Sequence, residues 1–215
     1  SRIHPYKDQR KELVIMGGNV SLLHKGLKDY VDLFYFGDGE VYIEDIINLR
    51  RKYKDKQQFI EACLNTPGLK DAITTGEEKD IIPAVLKDIS TSLLNGNDFI
   101  SKPVNKVIEV ARGCKYDCYF CLLSHYKHPY RYNSLEQIEN SIKTFKKGTV
   151  IYPFAPDEAS YKYKHNLSAL ANKYECKLYS YNKRFDTFNP DIDLNNIQAT
   201  TRNFELDYIS IAMLS

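Results

Sequence analysis

From Lys106 onward, short runs of β-branched and aromatic residues alternate with stretches of helical period, and this alternation constrains the fold more than any other feature of the chain. Residues 107–111 read as a strand. Ser134, followed three residues later by Gln137, reads as a capping box, after which Leu135, Ile138, Ile142 and Phe145 fall at helical spacing up to a stop at Gly148. Residues 149–154 are the next strand and residues 155–158 its loop; Leu167, Leu170 and Ala171 mark a second helix, and residues 177–181 a third strand. Residues 191–200 are weakly helical, and residues 208–214 make a fourth strand with which the sequence ends. Strand and helix in turn imply an α/β fold with a parallel sheet and right-handed crossovers.

Upstream of this run the pattern is looser. Residues 13–16 read as a buried strand ending in Gly17 and Gly18, and residues 31–36 as another, ending in the turn-rich residues 37–40. A helix follows in which Ile43, Ile46 and Ile47 are expected on one face, with Arg50 a turn further on. Residues 57–64 suit a short helix, residues 66–68 turn the chain, and the polar, irregular residues 76–102 are expected to connect two units. With 215 residues, 43% of them hydrophobic, the chain is long enough to bury the core of one or two domains. Its 30 basic and 28 acidic residues leave a formal charge of +2, so no field favours nucleic acid or a membrane surface. The longest apolar runs, residues 13–16 and 208–214, fall far short of the roughly 20 residues of a membrane span, and no signal peptide opens the chain. A cytoplasmic location is the expectation.

Three of the five cysteines, Cys114, Cys118 and Cys121, lie in the stretch CKYDCYFC directly after the strand at 107–111. An odd number of cysteines with three so close together is a poor disulfide framework, and thiolates at these spacings more naturally converge on a metal. Three thiolates occupy three corners of a site, and the fourth corner decides the chemistry. Supplied by His125 or His128, it gives a closed Cys3His zinc module of structural or binding use. Left open, it gives an iron–sulfur cluster with one iron free of protein ligands, a catalytic arrangement. A redox pair of Cys118 and Cys121 would leave Cys114 without a role, and an electron-transfer cluster would want a fourth cysteine, for which Cys63 and Cys176 are poorly placed. The position of the loop at the C-terminal end of a strand favours the open cluster, because active sites of parallel α/β barrels gather there. The five histidines show no paired metal spacing apart from this loop.

The spacing C-x3-C-x2-C with an aromatic residue before the last cysteine resembles the signature of radical S-adenosylmethionine (SAM) enzymes, and VIEVARGCKYDCYFC is similar to their cobalamin-associated and methylthiotransferase-like branch. VIMGGNVSL and DYVDLFYFGDGEVYIEDI resemble the last part of the Rossmann-like domain that precedes the barrel in that branch, and RYNSLEQI resembles the opening of its first barrel helix. The resemblance implies a Rossmann-like, cobalamin-binding-like part over residues 1–75, the connector over 76–102, and a partial radical SAM barrel over 103–215. It implies an enzyme in which Cys114, Cys118 and Cys121 hold a [4Fe-4S] cluster whose free iron is chelated by SAM, which is cleaved to methionine and a 5′-deoxyadenosyl radical. Phe120 would lie against the adenine, Glu158 beside Asp157 would accept from the SAM amino group, and Ser180 and Arg184 would meet the ribose and the carboxylate. An external electron donor and an unidentified substrate complete the set, with methylation or sulfur insertion as outcomes that the branch suggests.

Two departures qualify the resemblance. The family barrel has more strands than the four legible here, and the histidine loop that would read cobalamin is not in this sequence, so cobalamin has no binding residues to point to. The boundaries are either those of a fragment or those of an unusually short member, and a cropped barrel would leave a sheet edge to be covered.

Overall fold

Residues 31–36 are buried along their whole length, as a strand covered on both faces must be, and they organise the first of two units, Ser1–Lys87 and Asp88–Ser215. The computed structural model describes residues 4–178 apart from 97, 100–101, 117, 120, 123–125, 127 and 159–160. The expected helix at 191–200 and strand at 208–214 lie outside the described residues.

In the first unit a three-stranded sheet has the order β1 (Ile15–Met16), β2 (Leu33–Tyr35), β3 (Ile73–Thr74). β1 and β2 are parallel, with Ile15 opposite Leu33, whereas β3 runs antiparallel to β2, with Tyr35 opposite Ile73. After the four-residue α1 (His24–Leu27), the helices α2 (Ile43–Lys52) and α3 (Lys56–Asn65) follow, the second capped by Asp55, whose carboxylate accepts from the Gln58 amide at 2.9 Å. The core joins Leu33, Tyr35, Ile46, Phe59, Ile60, Cys63, Leu69 and Ile73. Ile43, Ile46 and Ile47 share one arc of α2, as their spacing implies, but Ile46 alone is buried, while Ile43 and Ile47 are 43% and 44% exposed. An i, i+3 and i, i+4 set spans a wide arc of a helix, and α2 turns only the Ile46 part of that arc inward. Gly37 is required by a close approach. At φ 105° it bridges to Ala84, whose carbonyl oxygen would lie 2.1 Å from a Cβ on residue 37.

In the second unit, β4 (Asp98–Phe99), β5 (Lys102–Glu109), β8 (Val150–Phe154) and β9 (Lys177–Leu178) form a four-stranded sheet in that order. β5, β8 and β9 are parallel neighbours, and β4 adds to the outside of β5 antiparallel. The crossovers carry α4 (Leu135–Ile142) and α5 (Lys164–Lys173). Both arms of the capping box at Ser134 and Gln137 are made, and Ile138 and Ile142 of α4 bury against Ile108, Ile151, Leu167 and Ala171. The regular part of the chain starts earlier than the expected strand at 107–111: β5 opens at Lys102, and β4 already falls within the stretch read as a connector. Among the described residues, no helix is long and apolar enough to cross a membrane.

Candidate cofactor site

β5 ends at Glu109, which lies opposite Phe154 at the end of β8, so the segments leaving these parallel strands start side by side. The segment after β5 does not run free. Residues 111–112 form β6 (Ala111–Arg112), which pairs antiparallel with β7 (Arg131–Tyr132), Arg112 facing Arg131. The cysteine-bearing residues between them are thus pinched at their base by a two-stranded ribbon, and α4 begins just beyond it. Gly113, at φ 80°, turns the chain out of β6 in a conformation that disfavours any side chain.

A buried polar network fixes this base. Arg112 forks onto Glu109, Nε donating to Oε1 at 2.7 Å and Nη2 to Oε2 at 2.6 Å, and Nη2 also donates to Ser92 Oγ at 3.1 Å. Glu109 is 1% exposed and Arg112 8%, so the pair is screened from water and its geometry matters. Asn133 Nδ2 donates to the Glu109 carbonyl at 2.7 Å and its amide donates to the Val110 carbonyl at 3.0 Å, while its own carbonyl accepts from Tyr161 Oη at 2.8 Å. Asn95 Oδ1 accepts from the Glu109 amide at 2.8 Å. Neither the pinching ribbon nor this network was foreseen from the sequence. The available signal was Glu109 within an otherwise apolar run, with Arg112 three residues on.

Cys114, Cys118 and Cys121 are each partly buried, and the Cys121 amide donates to the Cys118 carbonyl at 2.9 Å in a tight turn. Burial pushes the Cys114 thiol up, opposed by a backbone hydrogen bond at Tyr116, and the neighbouring Asp157, Cys118 and Cys121 push it further. Cys118 and Cys121 therefore lie within electrostatic reach of Cys114. Among the described residues no three of His, Cys, Asp and Glu form a group that could hold one metal ion. In a four-iron cluster each thiolate binds a different iron, so its ligands converge on a volume rather than on a point, a demand that three loop thiols can meet. The donor set is all sulfur and thus of the soft kind such a centre takes.

The loop after β8 brings Asp157 and Glu158 to the same end of the sheet, 8% and 5% exposed. An acid in a loop is ordinarily solvated; these are not. Cys63 and Cys176 sit in the cores of the first and second unit, and burial raises both thiols, that of Cys63 to about 11. His128 is exposed. Phe120, His125, Ser180 and Arg184 lie outside the described residues.

Residues 1–69 match the family model described as radical SAM proteins, N-terminal, a stretch that ends well before the cysteines. The match supports the radical SAM superfamily for this chain at the family level; it does not select a branch. No curated protein and no solved structure matches the chain.

Proposed function

We propose that this chain carries the cluster-binding part of a radical SAM enzyme, with Cys114, Cys118 and Cys121 as the ligands of a [4Fe-4S] cluster. One observation carries the reading: Cys114, within electrostatic reach of Cys118, Cys121 and Asp157, stands in the loop that follows β5 and β6, while the buried acidic pair Asp157 and Glu158 leaves the adjoining end of β8. The match of residues 1–69 is independent support, because it contains none of these residues. When bound and reduced, the cluster would supply the electron that cleaves SAM to methionine and a 5′-deoxyadenosyl radical.

The remaining roles belong to side chains. The Glu109 and Arg112 network holds the base of the loop, so that the thiols are presented without a large ordering cost on assembly. Glu158 accepts from the SAM amino group, and its burial strengthens that hydrogen bond because the local dielectric is low. Phe120 packs on the adenine, and Ser180 and Arg184 take the ribose and the carboxylate. The electron comes from an external donor. The Rossmann-like nature of the first unit and the closing of the second into a barrel belong to the same proposal, as do methylation or sulfur insertion as outcomes.

Anaerobic reconstitution tests the reading. The parent should take up iron and sulfide and absorb broadly in the visible, and alanine at any one of Cys114, Cys118 or Cys121 should abolish this while Cys63→Ala and Cys176→Ala retain it. Glu158→Ala should keep its iron yet bind SAM about ten- to hundredfold more weakly, the worth of a charged hydrogen bond of about 1.5–3 kcal/mol. Colourless protein that binds zinc and loses it on removal of His125 or His128 would replace the enzyme by a zinc module.

A further inference from the structure

We propose that the Tyr130 hydroxyl is the hydrogen-bond donor this protein provides to the sulfur held at Cys114, an inference that rests on the cluster reading above. The register of the ribbon carries it. β6 and β7 pair with Ala111 opposite Tyr132 and Arg112 opposite Arg131, so Tyr130 adjoins the same end of the ribbon at which the chain leaves through Gly113 to Cys114. The ring is held in place, since it packs on the core of the second unit and stands 5.9 Å from the Tyr132 ring.

The hydroxyl itself is buried and, among the described residues, has no hydrogen-bond partner. That is costly in a folded protein, and buried hydroxyls are ordinarily satisfied. Its neighbour Tyr161 shows the usual outcome, donating to the Asn133 carbonyl at 2.8 Å. An unspent donor at the base of a metal-binding loop is explained if its acceptor arrives with the bound group. The hydroxyl lies within electrostatic reach of Asp157, Tyr132 and Cys114, and a phenol is an O–H donor at neutral pH. Thiolate and sulfide are acceptors only, and hydrogen bonds to the sulfurs of an iron–sulfur centre are among the terms that set its reduction potential. A donated hydrogen bond stabilises the more negative, reduced state and so raises that potential. No bond is broken and no proton leaves the phenol.

Tyr130→Phe in the full chain separates this role from a packing role by a change of sign. In the metal-free protein the substitution removes an unsatisfied polar atom, so the Tm should stay the same or rise. In the reconstituted protein the iron content should equal that of the parent, and the midpoint potential, followed by electron paramagnetic resonance during a reductive titration, should move to more negative values. Tyr161→Phe provides the contrast, because it deletes a satisfied hydroxyl and should lower the metal-free Tm. An iron-loaded Tyr130→Phe variant with the parental potential overturns the proposal. So does a lowered metal-free Tm for Tyr130→Phe, and so does weakened SAM binding at unchanged potential, which would assign the hydroxyl to SAM instead. A parent that takes up no iron defeats the cluster reading itself, and this inference falls with it.

Discussion

In the first unit the buried carboxylate of Asp32 meets cations from far along the chain, Arg10 at 2.9 Å and Lys56 at 2.8 Å, whereas in the second the buried Glu109 meets Arg112, three residues away. The first arrangement ties the segment before β1 and the start of α3 to β2, and Arg10 also donates to the carbonyls of Pro5 and Tyr30 at 2.6 and 2.7 Å. It closes a tertiary fold. The second fixes a short turn of backbone from which the cysteine loop departs. The thiols divide in the same way: Cys63 is fully buried in the first core, while Cys114 stands partly exposed beside two others. Like residue types thus hold distant segments together in one unit and fix a local turn in the other, and the span of chain that each pair bridges is what tells them apart.

The largest expected effect tests the cohesive half of that contrast. Asp32→Ala leaves Arg10 and Lys56 facing each other without their carboxylate and should destabilise the first unit by about 3–5 kcal/mol in denaturant unfolding. The pH dependence is a second reading of the same site. Burial pushes the Asp32 carboxyl up, but hydrogen bonds from Lys56, the Val14 amide and Arg10 outweigh it and hold it below the usual range. Its contribution is therefore complete above the unfolded-state pKa of about 4 and is lost as pH falls through the lower folded value. Asp32→Asn should be less stable at neutral pH yet lose less stability than the parent on acidification. An unaltered acid limb would show that the triad does not hold the unit together.

Next in size is Arg112→Ala, which strands the buried Glu109 carboxylate and should cost about 3 kcal/mol. That loss alone would not distinguish presentation from cohesion. The double substitution Glu109→Leu with Arg112→Met does, because exchanging a buried pair for apolar side chains is often neutral in stability, within about 1 kcal/mol. It should unfold near the parental midpoint but take up less iron on reconstitution. Full iron uptake by the double variant would erase the difference between the two units' ion pairs.

Legibility in the sequence followed the range of the interaction. The capping box at Ser134, the helix it starts, and the strands at β5, β8 and β9 were readable because capping and periodicity are local signals. The cysteine cluster was legible as a cluster because its three thiols fall within eight residues of sequence. The antiparallel β3, the β6 and β7 ribbon, and the Asp32 triad join residues far apart, and single-chain patterning carries no record of such pairings, whereas β4 pairs locally with β5 and was hidden by the polar stretch in which it lies. Ile43 and Ile47 mark the opposite limit: their spacing is sound for a helix, yet apolar spacing states which residues share an arc and not how much of it the fold covers.

The smallest effect compares the thiols directly. Cys63 is 0% exposed among Phe59, Leu69 and Ile73, so Cys63→Ala opens a small cavity and should cost about 1–2 kcal/mol with iron uptake unchanged. Cys114 is only partly buried and belongs to neither core, so Cys114→Ala should change the stability of the metal-free protein by no more than about 0.5 kcal/mol while iron uptake is lost. The two variants therefore move opposite readouts, unfolding midpoint in one and iron content in the other. The crossing matters more than either value, because a general folding defect would lower both together. If Cys114→Ala unfolds as readily as Cys63→Ala, the loop cysteine is a packing residue, and the contrast between a unit built for cohesion and a loop built for presentation fails at the residue on which it most depends.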